Sequence, residues 1–273
     1  MVEHFLAKED VASSSLVTRS NSFQPPTSRS LRGIAPSECL LQREPGVFAL
    51  PRFQPPIGTV LFSLFFQRFM HRQAKLDHDV WRPWHPTELT HRLSDACRPW
   101  CIVGGWALDL WHGYQTRDHE DLEFAILRDD FNTFRQALKG MEFYTAGDGI
   151  VEYLPADENP PTAISQIWCQ DVKERCWRVD MMIEPGTLDT WAYKRNPAIV
   201  WPRAEMVNRT SDGVPYLKPA AVLLFKAMHR RIKDEIDFEN ALPKLAVSER
   251  AWLKNCLEAT HPGHEWTEML LNS

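Results

Sequence analysis

The sequence predicts an α+β protein, a small mixed β-sheet flanked by helices with a helical part at the C-terminal end. Three observations carry this. The apolar run Trp100–Val103 breaks at Gly104-Gly105 and gives way to a helical pattern, WALDLWH. Two later pairs of apolar segments each flank a polar turn, DVKER and SDG. After Pro219 the pattern becomes helical and stays so.

The elements follow in order. Pro86-Thr87, then Glu88 and Leu89, reads as a helix start with Leu89 and Leu93 on one face. Trp100–Val103 is a short buried strand, and Trp106–His112 a helix closed by Gly113. Leu122–Leu127 is the next strand, and Asp129-Asp130 cap a helix running through Leu138. Ala163–Gln170 pairs with Trp177–Ile183 across DVKER, and Glu205–Asn208 with Val214–Leu217 across SDG. Pro219 starts one long helix, AAVLLFKAMHRRIKDEIDF, and Ser248 caps another. No internal repeat is present.

Folded character begins near Val80. Residues 1–56 hold seven prolines and eight serines without sustained periodicity, too little apolar surface to offset the entropy of ordering. Residues 1–75 are therefore expected to be a disordered or wrongly included extension, with 80–217 a catalytic domain and 218–273 a helical region. The run Ile57–Met70 is shorter than the roughly 20 residues of a spanning helix, so no membrane span is read. Its Leu61, Phe62, Phe65, Phe66 and Phe69 cluster at helical spacing, which leaves a docked helix as the rival reading.

The net charge of −5 is unevenly spread. Residues 1–75 carry nine Lys/Arg against five Asp/Glu, a net +4, and the rest carries 22 against 31, a net −9. An acidic folded part argues against nucleic acid as a partner and suits a cation or a cationic ligand, or simple solubility. The six cysteines show no CxxC pair, which points to reduced, mostly buried thiols in a cytoplasmic protein.

The stretch WCIVGGWALDLWHGYQTRDHEDLEFAIL holds the informative chemistry. Strand alternation would put Asp121 and Glu123 on one face and Leu122 and Phe124 in the core. Two carboxylates so close repel unless a cation sits between them, and oxygen-only ligands suit Mg²⁺. A third acid, Asp180, interrupts the apolar run Val179–Ile183 in WRVDMMIEP, a costly place for an unpaired charge. Gly104 and Gly105, ahead of a helix, would present bare backbone N–H groups to phosphate. Each feature alone is commonly a solvated strand face or a tight turn; their conjunction favours a metal–phosphate site.

The segment GGWALDLWHGYQTRDHEDLEF resembles the signature of the polymerase-β-like nucleotidyltransferases, and most closely the aminoglycoside 2″-adenylyltransferase-like group. Fifteen residues separate Gly105 from Asp121, the interval of that group. WRVDMM, the LLFKA…R.KD..DF segment and PGHEW are similar to it as well, so the resemblance spans about residues 80–270. It implies a nucleotidyltransferase fold and transfer of a nucleoside monophosphate, AMP from ATP or from another NTP, to a hydroxyl of a small polar, aminoglycoside-like acceptor. Asp121 and Glu123 would hold one or two Mg²⁺, with Asp180 the third carboxylate, either ligand or general base. Gly104 and Gly105 would cradle the nucleotide phosphates. Glu123 stands where these enzymes commonly carry Asp, which puts substrate identity in doubt more than the metal. The alternatives are a protein- or RNA-modifying transferase of toxin–antitoxin type, and a degenerate nucleotide-binding member.

Further candidates carry two readings each. Arg117 and His119 would reach phosphate or orient a ligand, or else pair with Asp109 or Asp118. Lys226, Arg230 and Lys233 fall on one face of the predicted helix; the resemblance directs Lys226 to the triphosphate. Asp234 and Asp237 pair locally or meet an acceptor ammonium. His261 and His264 read as structural packing. Trp106, Trp111, Trp168, Trp177, Trp191 and Trp201 read as core, with one or two available to stack on a base or sugar.

Overall fold

The computed structural model describes residues 77–272; the expectations for the first 75 residues, Ile57–Met70 among them, lie outside them. Helix α1 (Pro86–Arg92) is followed by strand β1 (Trp100–Ile102), helix α2 (Gly104–His112) and strand β2 (Glu123–Leu127). Helix α3 (Phe131–Ala137), β3 (Met141–Gly147), β4 (Ile150–Tyr153), β5 (Gln166–Asp171) and β6 (Trp177–Glu184) complete the first part. There follow β7 (Thr190–Ala192), β8 (Val200–Pro202), the short α4 (Arg203–Met206), β9 (Val207–Arg209) and β10 (Pro215–Leu217). Four helices end the chain: α5 (Pro219–Lys226), α6 (Ile232–Ala241), α7 (Val247–Thr260) and α8 (Trp266–Leu271).

The α+β expectation holds. Eight strands form one mixed sheet in the order β4-β3-β5-β6-β2-β1-β10-β9, and β7 pairs with β8 apart from it. Two pairings are parallel, β2 with β6 and β1 with β10; the others are antiparallel. The parallel pair sets Glu123 opposite Asp180, and β5 adds Trp168 opposite Asp180. On the other face Ile102, Phe124, Met181 and Ile167 form a fully buried row. Phe124 meets Phe134 of α3 edge-on at 6.2 Å, so this apolar row is what α3 covers. Alternation along β2 therefore does what the sequence required: apolar residues go under a helix and carboxylates to the opposite face.

Several boundaries differ from expectation. β2 begins at Glu123, so Asp121 and Leu122 precede the strand, although the Leu122 carbonyl still accepts from Asp180 N at 2.8 Å. Asp129-Asp130 do not cap: Arg128–Asp130 is a 3₁₀ turn, and Asp130 pairs with Arg98 at 3.2 Å. Glu205 lies in α4 rather than in a strand. Ser248 sits inside α7, whose first residues are tied by Ala246 N–H donating to Glu249 at 3.0 Å. The hairpin of β3 and β4 escaped the sequence reading. Its turn residues Asp148 and Gly149 have φ of 51° and 75°, the conformation an Asp-Gly pair favours.

The largest correction concerns the long helix, which is broken in two after Lys226, with Arg230 left-handed at φ 46°. In a continuous helix Asp234 would stand about 12 Å along the axis from Lys226. The break brings both Asp234 and Asp237 within 2.9 Å of the Lys226 ammonium. Arg230 turns outward to Glu235 and Glu265, and Lys226, Arg230 and Lys233 do not share one helix face.

The cysteines expected to be buried thiols are so at Cys101, Cys169, Cys176 and Cys256, whereas Cys97 is exposed; all five are free. Trp177 and Trp191 are core, but Trp201 is exposed. No helix among the described residues is long and apolar enough to cross a membrane.

Candidate active site

A cavity of about 590 Å³ opens on the carboxylate face of the sheet. Gly104, Glu123, Ala125, Gln166, Met182 and Glu184 line it from the β1–α2 turn and strands β2, β5 and β6. Val222, Phe225, Lys226, Arg231 and Asp234 line it from the helical part, and Lys194 and Arg195 from the loop between β7 and β8. Both parts of the chain are thus needed to enclose it.

Glu123 is partly buried and its carboxyl is pushed up to about 7. Burial is the main cause and the charge of Asp121 the next, against opposing help from Lys226, Arg231 and Lys233. Asp180 is fully buried, and burial followed by the charge of Glu123 raises it well above the usual carboxylate range. Gln166 Nε2 donates to Asp180 Oδ2 at 2.5 Å, while the buried Oδ1 takes no hydrogen bond. The three acids thus oppose one another's ionisation, and Asp180 keeps one oxygen without a hydrogen bond. The set fits a hard divalent metal: Asp121 and Glu123 would hold it, and Asp180 would supply the third carboxylate from the neighbouring strand. Among the described residues no three His, Cys, Asp or Glu side chains already stand in a metal-holding cluster.

The two glycines serve different neighbours. A Cβ on Gly104 would lie 1.7 Å from Glu123 Oε2, so the carboxyl sits directly against the bare backbone. A Cβ on Gly105 would lie 2.4 Å from Arg117 Nη2 and 2.6 Å from His119 Cε1. No side chain caps the N-terminus of α2, which leaves its first N–H groups available to an anion.

Arg117 and His119 are paired within the fold. Arg117 makes a bidentate pair with Asp237, Nε to Oδ1 at 3.0 Å and Nη2 to Oδ2 at 3.1 Å. His119 stacks on Trp106 with ring centres 4.5 Å apart, and its Nε2 meets Asp109 Oδ2 at 2.5 Å. Arginine can only donate, so the 3.1 Å contact from Arg117 Nη1 makes His119 Nδ1 the acceptor and puts the ring proton on Nε2. Burial works to raise the Asp109 carboxyl, but hydrogen bonds from His119 and Thr116 outweigh it and hold Asp109 below its ordinary value. The Asp109 partner anticipated for His119 is therefore found, while Arg117 reaches a helix 120 residues further on.

Lys226 lines the cavity, but its charge is matched by Asp234 and Asp237. Asp234 also binds Arg231 at 2.8 Å, and these cations hold its carboxyl at about 2 against the effect of burial. His264 packs structurally, Nε2 against the Ala227 carbonyl at 3.0 Å. Sequence reasoning missed Gln166, Lys194 and Arg195. Gln166 had a signal, a polar residue on the inward face of a predicted strand; the loop residues had none.

Residues 87–158 match a family model described as aminoglycoside-2″-adenylyltransferase. The matched segment includes Gly104, Gly105, Arg117, His119, Asp121 and Glu123 and ends before Asp180 and Lys226, and it bears out the resemblance read from the sequence. Solved structures give partial likenesses. The crystal structure of ANT(2″)-Ia in complex with adenylyl-2″-tobramycin is 13% identical, covering 63% of this chain and 94% of that one, with a TM-score of 0.43. That of the lincomycin-bound lincosamide antibiotic adenylyltransferase LnuA is 18% identical over 56% and 92%, TM-score 0.41. An antigenic nucleotidyltransferase-like protein from Paracoccidioides brasiliensis is 15% identical over 68% and 89%, TM-score 0.38. No curated protein matches in sequence.

Proposed function

For a chain of this aminoglycoside 2″-adenylyltransferase-like kind, we propose a Mg²⁺-dependent nucleotidyltransferase that moves AMP from ATP to a hydroxyl of a small polar acceptor. The observation that carries it is the register of β2 and β6, which sets Glu123 beside Asp180 next to a glycine turn and an uncapped helix N-terminus. In this reading Asp121 and Glu123 hold the metal, and Gly104 and Gly105 offer backbone N–H groups to the nucleotide phosphates. When bound, Mg²⁺ supplies charge neutralisation and orientation of the phosphates for in-line displacement at the α-phosphorus.

Asp180 is assigned a part different from that of a solvent-facing base. It is fully buried and does not line the cavity, whereas Gln166 does and donates to its Oδ2. It completes the charge of the metal site from beneath, with Gln166 orienting its carboxyl. Arg117 and His119 act as positioning residues: they pack over Gly105 and fix the segment that delivers Asp121. Residues 80–217 form the catalytic part, residues 218–273 close the cavity, and the protein works in the cytoplasm.

The test is calorimetric titration with ATP and Mg²⁺, then pyrophosphate release across a panel of hydroxyl acceptors that includes aminoglycosides and lincosamides, scored by mass gain. The reading expects Mg²⁺-dependent ATP binding and a gain of one AMP on at least one acceptor. Nucleotide binding without transfer to any acceptor would favour the degenerate reading, and absence of both would sink the proposal.

A further inference from the structure

We propose that the acceptor taken by this cavity is an uncharged molecule bearing hydroxyls on an apolar body, and not a polycation. The inference rests on the proposed nucleotidyl transfer and names the chemical class of its acceptor.

The sheet changes character one step beyond the carboxylates. Side chains two apart on a strand share a face, so Ala125 follows Glu123 and Met182 follows Asp180. Ala125 stands opposite Met182, and Met182 opposite Gln166, in one row across β2, β6 and β5 that lines the cavity. Val222, Phe225 and Lys226, spaced i, i+3 and i+4, bring one face of α5 to the same cavity, and Met228 lines it just past the helix. Met182 and Phe225 are only partly buried, and Met228 is exposed. An apolar wall therefore stands open beside the candidate metal site.

Among the described residues three carboxylates line the cavity, and each is already committed. Glu184 is engaged by Arg203, and Asp234 by Arg231 at 2.8 Å and Lys226 at 2.9 Å. Glu123 goes to the metal in the proposed function. An ammonium entering here would have to take an acid from its present cation and leave that cation short of a partner, a costly exchange. Hydroxyls meet a different wall. Around the end of α7, Thr260 and His261 line the cavity with His229. His229 is held below its ordinary value by burial and then by Arg195 and Arg231, and His261 by burial, His264 and Arg195, so both rings favour the neutral form. His261 keeps its buried Nε2 without a hydrogen bond, a group that a hydroxyl can satisfy.

Calorimetric titration of the full chain, held with Mg²⁺ and α,β-methylene-ATP so that no transfer takes place, tests the class with three probes. Hexyl β-D-glucoside should bind at least about tenfold more tightly than methyl β-D-glucoside, the gain from burying about two methylenes. It should also bind more tightly than the polycation tobramycin. Met182→Gln keeps the side-chain length and adds polarity, and should remove most of the hexyl advantage, whereas Leu271→Gln, exposed on α8, should keep it. Equal binding of the two glucosides, tighter binding of tobramycin, or an undiminished hexyl advantage in Met182→Gln overturns the proposal. So does hexyl glucoside binding seen only when the nucleotide analogue is left out, because the apolar wall then belongs to the nucleobase. Should Met182→Gln fail to fold, Met228→Gln takes its place with the same two outcomes. AMP transfer that favours tobramycin would sink this inference alone. The expected binding pattern without AMP transfer to any hydroxyl acceptor would sink the proposed reaction alone.

Discussion

Gly104 is constrained twice, by a φ of +62° and by the Glu123 carboxyl where its Cβ would lie. Gly104→Ala should therefore cost more than the 1–2 kcal/mol or so of a left-handed alanine, because Glu123 must also move. Its measurable signature is loss of Mg²⁺-dependent ATP binding together with a lowered melting temperature. Asp121→Asn removes charge at constant volume. Transfer should fall to background, while stability without Mg²⁺ holds or rises because repulsion of Glu123 is relieved. A large loss of stability in the metal-free variant would make Asp121 structural. Glu123 gives a pH signature. Its folded value, about 7, lies above the ordinary 4.5, so between these the folded state holds more proton than the unfolded one. Stability of the metal-free protein should then fall as pH rises from about 4.5 through 7, by up to about 3 kcal/mol, while affinity for Mg²⁺ rises. Glu123→Gln should flatten that slope in chemical denaturation between pH 5 and 8.

At the scale of elements, the break between α5 and α6 turns a predicted charged stripe into a buried network. Asp237 receives both Arg117 from the segment before β2 and Lys226 from α5. Asp237→Asn would leave Arg117 short of its partner and Lys226 with Asp234 alone. Breaking a buried pair on one side costs on the order of 3 kcal/mol, which in a protein of this size lowers the melting temperature by about 6–12 °C. Differential scanning calorimetry reads this, and a shift below about 2 °C would mean that the network is solvent-screened. In the proposed function the same variant should weaken Mg²⁺ binding as well, since Arg117 packs against Gly105 and is there given the part of fixing the chain that carries Asp121. A stability loss with metal affinity untouched would deny Arg117 its positioning part.

Across the whole molecule, the net −9 of residues 76–273 surrounds a cavity whose own wall carries Lys194 and Arg195. A generic acidic surface repels an extended polyanion, whereas a small anion can enter a cavity whose wall carries cations beside the carboxylates Glu123, Glu184 and Asp234. Single-stranded RNA should accordingly show no salt-dependent binding at about 50 mM salt, checked by fluorescence anisotropy, whereas the proposed function expects ATP with Mg²⁺ to bind. RNA binding with a steep salt slope would revive the RNA-modifying alternative.

The local grammar is legible in the order of residues alone. WCIV-GG-WALDLWH fixed a strand, turn and helix, DLEF an alternation that separates acid from core, and WRVDMM an acid stranded among apolar neighbours. These follow from side-chain periodicity and backbone sterics, which act within a few residues. Contacts between distant segments lie beyond that range and were set by packing. Parallel pairing of β2 with β6 placed Asp180 beside Glu123 across 57 residues of chain. Arg117 and Lys226, read as phosphate ligands, found their carboxylates on α6, because burial makes an unmatched charge more costly than a broken helix. Arg195 entered the site from a loop with no periodicity to announce it, since cavity walls are assembled by packing and not by sequence order.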